Sequence, residues 1–130
     1  MRDFFQEQLK ELNRELVRMG ADCEEIIALA SDSLTGWDEA LAKNVSVIGA
    51  RIDEGYRTVE NICLTLLLRQ QPVARDLRVI SAALKMITDM ERIGDQAEDI
   101  VDLVPQMESR PDEKFPRIRE MAKAAKQMVT

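Results

Sequence analysis

Two acids, Glu91 and Asp95, stand four residues apart in a stretch whose apolar residues recur at helical spacing. On a helix, that separation projects both carboxylates from one face, one turn apart. Asp99 and Asp102 continue the face. The row that Glu91 joins is otherwise apolar or small: Leu77, Ile80, Leu84 and Ile87 precede it and Gly94 follows. A carboxylate in such a row is unfavourable unless it is paired, hydrogen-bonded or bound to a metal. Upstream, Asp53 and Glu60 lie seven residues apart beside Val59 and share a second helical face. Two chemistries compete for these acids. An ion pair between Glu91 and Arg51 or Arg57, or exposure at a bundle edge, would satisfy the carboxylate and leave it no further role. Alternatively, acids facing one another from two helices make an all-oxygen cage. Such a cage suits Mg²⁺, Ca²⁺ or Mn²⁺, and carboxylate-rich bundles also hold iron. General acid–base catalysis is a third use of paired carboxylates, but no nucleophile motif or Gly-rich phosphate loop accompanies them. The expectation is a binding protein, not an enzyme.

The residue inventory narrows the chemistry. The 130 residues include no histidine, which removes imidazole catalysis, phosphohistidine relays and metal sites that need imidazole. Cys23 and Cys63 lack metal-type spacing and fall on apolar faces, so they read as small core residues in a reducing compartment. The formal net charge of −6 disfavours a nucleic-acid groove. No run of about 18 apolar residues is present to span a membrane. The opening MRDFFQEQLKELNREL is too charged for a secretory signal. Together these predict a cytoplasmic protein.

The elements that must position the acids are long helices. Five Gly and four Pro are few for 130 residues, and sparse breakers favour long uninterrupted elements. Phe5, Leu9, Leu12, Leu16, Met19, Cys23, Ile26, Ala30 and Leu34 form a heptad-like seam on a first helix. Asp3 is placed to cap it, and Gly20 to admit a close neighbour. Residues 33–38 read as a stop and a restart, with Thr35 as the N-cap and Asp38 three residues on. The second seam is Leu41, Val45, Ile48, Ile52, Gly55, Val59, Ile62 and Leu66, with Trp37 at the bundle end. Pro72 opens a third helix and Pro105 stops it. That helix carries a wide apolar arc: the row of Glu91 and a stripe of Val79, Ala83, Met86, Met90, Ile93, Ala97, Ile100 and Val104. An arc of that width implies two neighbours. The fold expected is all-α: an antiparallel three-helix bundle over residues 1–105. A Pro-containing linker follows at 106–115, then a short amphipathic helix at 116–130 with Ile118, Met121, Ala125 and Met128 on one face. That last helix packs on the bundle, pairs with another chain as in a homodimer, or begins a second unit. Its Lys and Arg residues read as a solvated face, and the seven methionines as core filling.

Two segments resemble a known family. Gln70-Gln71-Pro72-Val73-Ala74-Arg75-Asp76-Leu77-Arg78 is similar to the start of the third helix in PhoU-type phosphate regulators. Asp89-Met90-Glu91-Arg92-Ile93-Gly94-Asp95-Gln96-Ala97 resembles that family's second hallmark, at the family's spacing. The resemblance covers roughly residues 1–105. It implies a three-helix repeat, of which whole members carry two, so the chain reads as a fragment or a short form. It also implies a metal site built from an acid-x-x-x-Asp pattern on two helices. Glu91 and Asp95 match as they stand. Glu60 matches the second acid of the other helix, where the first acid's position is Tyr56, and Asp53 is a stand-in one turn earlier. The ions implied are Fe, Mn, Mg or Zn. The function implied is that of a cytoplasmic negative regulator of phosphate uptake and phosphate-starvation signalling. It would bridge the ATPase subunit of the phosphate ABC transporter and its sensor histidine kinase, without nucleic acid and without inserting into a membrane. A helical oligomerisation or metal-binding module with no direct role in transport is the alternative.

Overall fold

In the computed structural model, residues 2–69 and 72–108 are described, together with residues 120, 123, 124 and 127. Three long helices account for almost all of them: α1 (Arg2–Ser33), α2 (Glu39–Arg69) and α3 (Ala74–Glu108). All described residues are helix or connection, and every pair of the three helices is in contact, so the bundle is closed. At about 1.5 Å per residue each helix is roughly 45–50 Å long.

The predicted seams of α1 and α2 line the core. Leu12, Met19, Cys23, Ile26 and Ala30 from α1 meet Val45, Ile52, Val59 and Leu66 from α2, all almost wholly buried. On α3 the buried positions are Ile80, Ala83, Ile87, Gly94, Ala97, Val101 and Val104. These form one heptad seam lying between the two stripes expected from the sequence. Val79 and Met86 therefore stay exposed, at 43% and 45% of their surface. One seam of this width is enough to meet both α1 and α2 in a closed three-helix bundle.

The helix ends differ from expectation in physically simple ways. α1 begins at Arg2, so Asp3 sits inside its first turn, where its charge complements the helix dipole. Asp38, not Thr35, caps α2: its Oδ1 accepts the Leu41 amide at 2.7 Å. Thr35 instead donates its hydroxyl to the Asp32 carbonyl at 3.0 Å, closing α1. α3 starts at Ala74, with the Leu77 amide bonded to the Val73 carbonyl, so Pro72 lies just ahead of the first turn. Pro105 does not stop α3, which continues to Glu108. Proline lacks the N–H that would bond the carbonyl four residues back, here that of Val101. The Trp37 indole N–H donates to that carbonyl at 3.1 Å. Trp37, like Ile100, packs against Leu34 and Val104 at this end, so one side chain both plugs the bundle and satisfies the group Pro105 orphans.

Residues 106–108, expected in the linker, belong to the last turn of α3. The rest of the linker and the apolar face of the 116–130 helix, Ile118, Met121, Ala125 and Met128, lie outside the described residues. The four described residues of that segment, Glu120, Lys123, Ala124 and Gln127, are helical.

Candidate metal site

α2 and α3 run antiparallel, and their register is set by a close approach at Gly94. A Cβ placed there would lie 3.3 Å from Ile52 Cδ1. Asp53, next to Ile52, is thereby held at the level of the α3 turn that bears Glu91 and Asp95. One carboxylate oxygen from each of Asp53, Glu91 and Asp95 lies within 4.8 Å of the others. Asp53 and Glu91 are half-buried and Asp95 is exposed, so the trio opens to solvent on one side.

Glu91 is the strained member. Its Oε2 is enclosed and has no hydrogen-bond partner among the described residues. Burial pushes its carboxyl up to about 7, reinforced by the adjoining carboxyl of Asp53 and by the charge of Asp95, against the pull of Arg57. Neither arginine expected to neutralise it does so. Arg51 turns to α1 and donates to Asp22 at 2.7 Å and Glu25 at 3.4 Å. Arg57 donates Nε to the Asp53 backbone carbonyl at 3.4 Å.

The buried acids of α1 show the contrast. Glu15 and Asp22 are only 7% and 6% exposed, yet each meets an arginine: Arg18 at 3.0 Å and Arg51 at 2.7 Å. They line a cleft of about 150 Å³ between α1 and α2 with Met19, Glu54 and Gly55. Those carboxylates are balanced by neighbouring cations. The Asp53–Glu91–Asp95 group gathers three acids with an orphaned oxygen and no ion pair among the described residues.

The donor set fits a hard cation. Three carboxylates supply only oxygen, the ligand type of Mg²⁺, Mn²⁺ and Ca²⁺, and carboxylate-rich bundles hold iron. Oxygens around an ion at about 2.1–2.5 Å are roughly 3–5 Å apart, a range that contains the observed spacing. A cation here would take Glu91 Oε2 as the lone pair it lacks and reverse the electrostatic penalty on all three acids.

Of the residues expected to bind metal, Glu91 and Asp95 come together and Glu60 does not join them. Glu60 is two turns beyond Asp53, about 10 Å along α2, where its charge helps burial raise the Cys63 thiol. The stand-in, Asp53, occupies the place. The signal for this was available: Asp53 follows seam residue Ile52, and Ile52 must face the gap that Gly94 leaves. What the helical periods lacked was the vertical register of α2 on α3. Gly20, expected to admit a close neighbour, has only ordinary contact, with Met90 Cε 3.9 Å from a Cβ built there. Between α1 and α2 the tight approach is at Gly55, where an added Cβ would lie 2.6 Å from Met19 Cγ. Cys23 donates its thiol to the Met90 carbonyl at 3.7 Å. Burial, with the charges of Asp22 and Glu91, pushes it up to about 11, consistent with a core role.

Comparison with known proteins agrees with the bundle and its two α3 segments. The PhoU domain model matches residues 16–104. A phosphate-specific transport system accessory protein PhoU homolog from Synechocystis is 33% identical over 110 residues, covering 85% of this chain and 49% of that protein. The corresponding Clostridium acetobutylicum protein is 37% identical over 107 residues, covering 82% and 49%. That from Aquifex aeolicus is 30% identical over 123 residues, covering 94% and 56%. The chain thus spans about half the length of these curated relatives. No solved structure matches it. The matched span runs through all three helices and contains both of the segments that resemble the family, and the chain belongs to the PhoU domain family.

Proposed function

We propose that the chain is a cytoplasmic negative regulator of phosphate uptake and phosphate-starvation signalling, acting as a binding adaptor. The observation that carries this reading is the PhoU domain match over residues 16–104, with relatives named as accessory proteins of phosphate-specific transport. Among the described residues no helix is long and apolar enough to cross a membrane. The partners proposed are the ATPase subunit of the phosphate ABC transporter and the sensor histidine kinase. No substrate is turned over in this reading. Phosphate status passes by protein contact, and a hard divalent cation or iron at Asp53, Glu91 and Asp95 pins α2 to α3 and tunes the surface they present. The bound ion supplies charge neutralisation across the α2–α3 groove, and the chain's own carboxylates orient it.

The test is co-purification of the tagged 130-residue chain with each partner. Retention of the ATPase subunit or the kinase at near-stoichiometric level is expected. Retention of neither, with both partners folded and present, refutes the adaptor reading.

The acid trio favours one second reading, a metal-binding helical module with no direct role in transport. It predicts metal binding that persists in a chain that retains neither partner.

A further inference from the structure

Gly49 lies one turn before Asp53 on α2, on the same face. Its missing side chain is filled by Glu98 of α3. A Cβ at Gly49 would coincide with Glu98 Oε1 and lie 2.7 Å from Glu98 Cδ. Glu98 is one turn past Asp95 and two past Glu91, so it continues the row of α3 acids that faces α2. After burial, the strongest influence raising its carboxyl is the charge of Asp53 across the groove, ahead of Asp95, Asp102 and Asp99 on its own helix. Among the described residues no arginine or lysine forms an ion pair with it. A half-buried carboxylate is thus laid along the α2 backbone beside the trio, in a notch that only glycine leaves, with like charges around it and no counter-charge.

We propose that Glu98 is a fourth oxygen ligand of the cation site formed by Asp53, Glu91 and Asp95, admitted to the α2–α3 groove by the notch at Gly49. This rests on the cation reading of the trio. The geometry of the side chain supports it. Glu98 Oε1 lies on the α2 surface one turn from Asp53, outside the group of oxygens that Asp53, Glu91 and Asp95 bring within 4.8 Å of one another; rotation about the glutamate's three side-chain torsions is what would bring it in. Nothing bulkier than a hydrogen stands at position 49 to block that rotation. A fourth carboxylate raises the oxygen count toward the six or more that Mg²⁺, Mn²⁺ and Ca²⁺ take, and adds a negative charge that tightens binding.

The experiment titrates Mn²⁺ into the 130-residue chain at pH 7.5 and follows free Mn²⁺ by electron paramagnetic resonance. Glu98→Gln, Asp95→Asn and Asp99→Asn are measured beside it. Asp99 is exposed on the same helix and controls for loss of one negative charge. The expectation is saturable binding by the unchanged chain, loss of binding in Asp95→Asn, and weakening by about tenfold or more in Glu98→Gln. Asp99→Asn should stay within about twofold, because an exposed charge is screened. Without metal, Glu98→Gln should melt at or above the temperature of the unchanged chain, which separates a lost ligand from a damaged fold. If Glu98→Gln binds as Asp99→Asn does while Asp95→Asn still loses the ion, the fourth ligand is overturned and the trio stands. If the unchanged chain shows no saturable binding, the trio and its fourth ligand are both overturned.

Discussion

Replacing Glu91 by glutamine isolates the energetic consequence of gathering three acids in one groove. Glu91 is pushed from its ordinary 4.5 to about 7 in the folded chain, chiefly by burial and by Asp53. In metal-free buffer, between these two values, the native state holds a proton that the unfolded state has released. The native state therefore binds more protons, and stability falls as pH rises through this interval. At about 1.4 kcal/mol per pH unit the full effect would be roughly 3 kcal/mol. Glu91 is only partly buried, so solvent screening reduces it to about 1–2 kcal/mol. No imidazole or thiol titrates in the window, because the sequence contains no histidine and burial pushes both cysteine thiols up and away from it; Glu98 is the other carboxyl raised toward it. Charges facing Glu91 are Asp53 and Arg57 from α2 and Asp95 on α3, with Cys23 the nearby thiol on α1. The assay is urea unfolding followed by circular dichroism in EDTA at pH 5 and pH 8. The unchanged chain should lose about 1–2 kcal/mol between the two, or about 4–8 °C in Tm. Glu91→Gln should lose less, keeping only the slope that Glu98 contributes, and should be the more stable of the two at pH 8. Equal stability of the unchanged chain at both pH values, or an unaltered slope in Glu91→Gln, would refute the reasoning. Added Mn²⁺ should reverse the loss at pH 8 in the unchanged chain and not in the variant, since only a ligand of the native state stabilises it.

Three further outcomes follow from the packing. Trp37→Phe removes the N–H that serves the buried Val101 carbonyl freed by Pro105, and should cost about 1–2 kcal/mol in urea unfolding; in a chain carrying Pro105→Ala the cost should shrink. Gly55→Ala should destabilise by about 1 kcal/mol, because its Cβ meets Met19 Cγ at 2.6 Å in the core, whereas Gly94→Ala meets only the flexible tip of Ile52 at 3.3 Å and should be neutral or slightly stabilising by thermal melt. Arg51→Ala strips the 2.7 Å partner from Asp22, which is 6% exposed, and should lower the urea midpoint; the double change Arg51→Ala, Asp22→Asn should recover part of that loss.

The sequence by itself determined the number of long helices, their apolar seams and the anomaly of Glu91, because each follows from spacing along one chain. Residues four apart on a helix share a face whatever surrounds them, so Glu91 and Asp95 were paired before any fold was known. The two segments around Pro72 and Gly94 likewise identified the family, which needs only local residue identity. The tertiary structure alone decided what depends on how one helix slides and rotates against another. It brought Asp53 rather than Glu60 to the acids of α3, because Ile52 seats against Gly94 and fixes the vertical register. It merged two expected stripes of α3 into one seam, leaving Val79 and Met86 outside. It placed the Trp37 indole on the carbonyl that Pro105 orphans, so a helix expected to end there continues to Glu108. It also laid Glu98 over Gly49, a contact between residues 49 positions apart. Periodicity along a chain constrains angle around each helix axis, but the offset between helices is set by interlocking side chains, which only the packed bundle reveals.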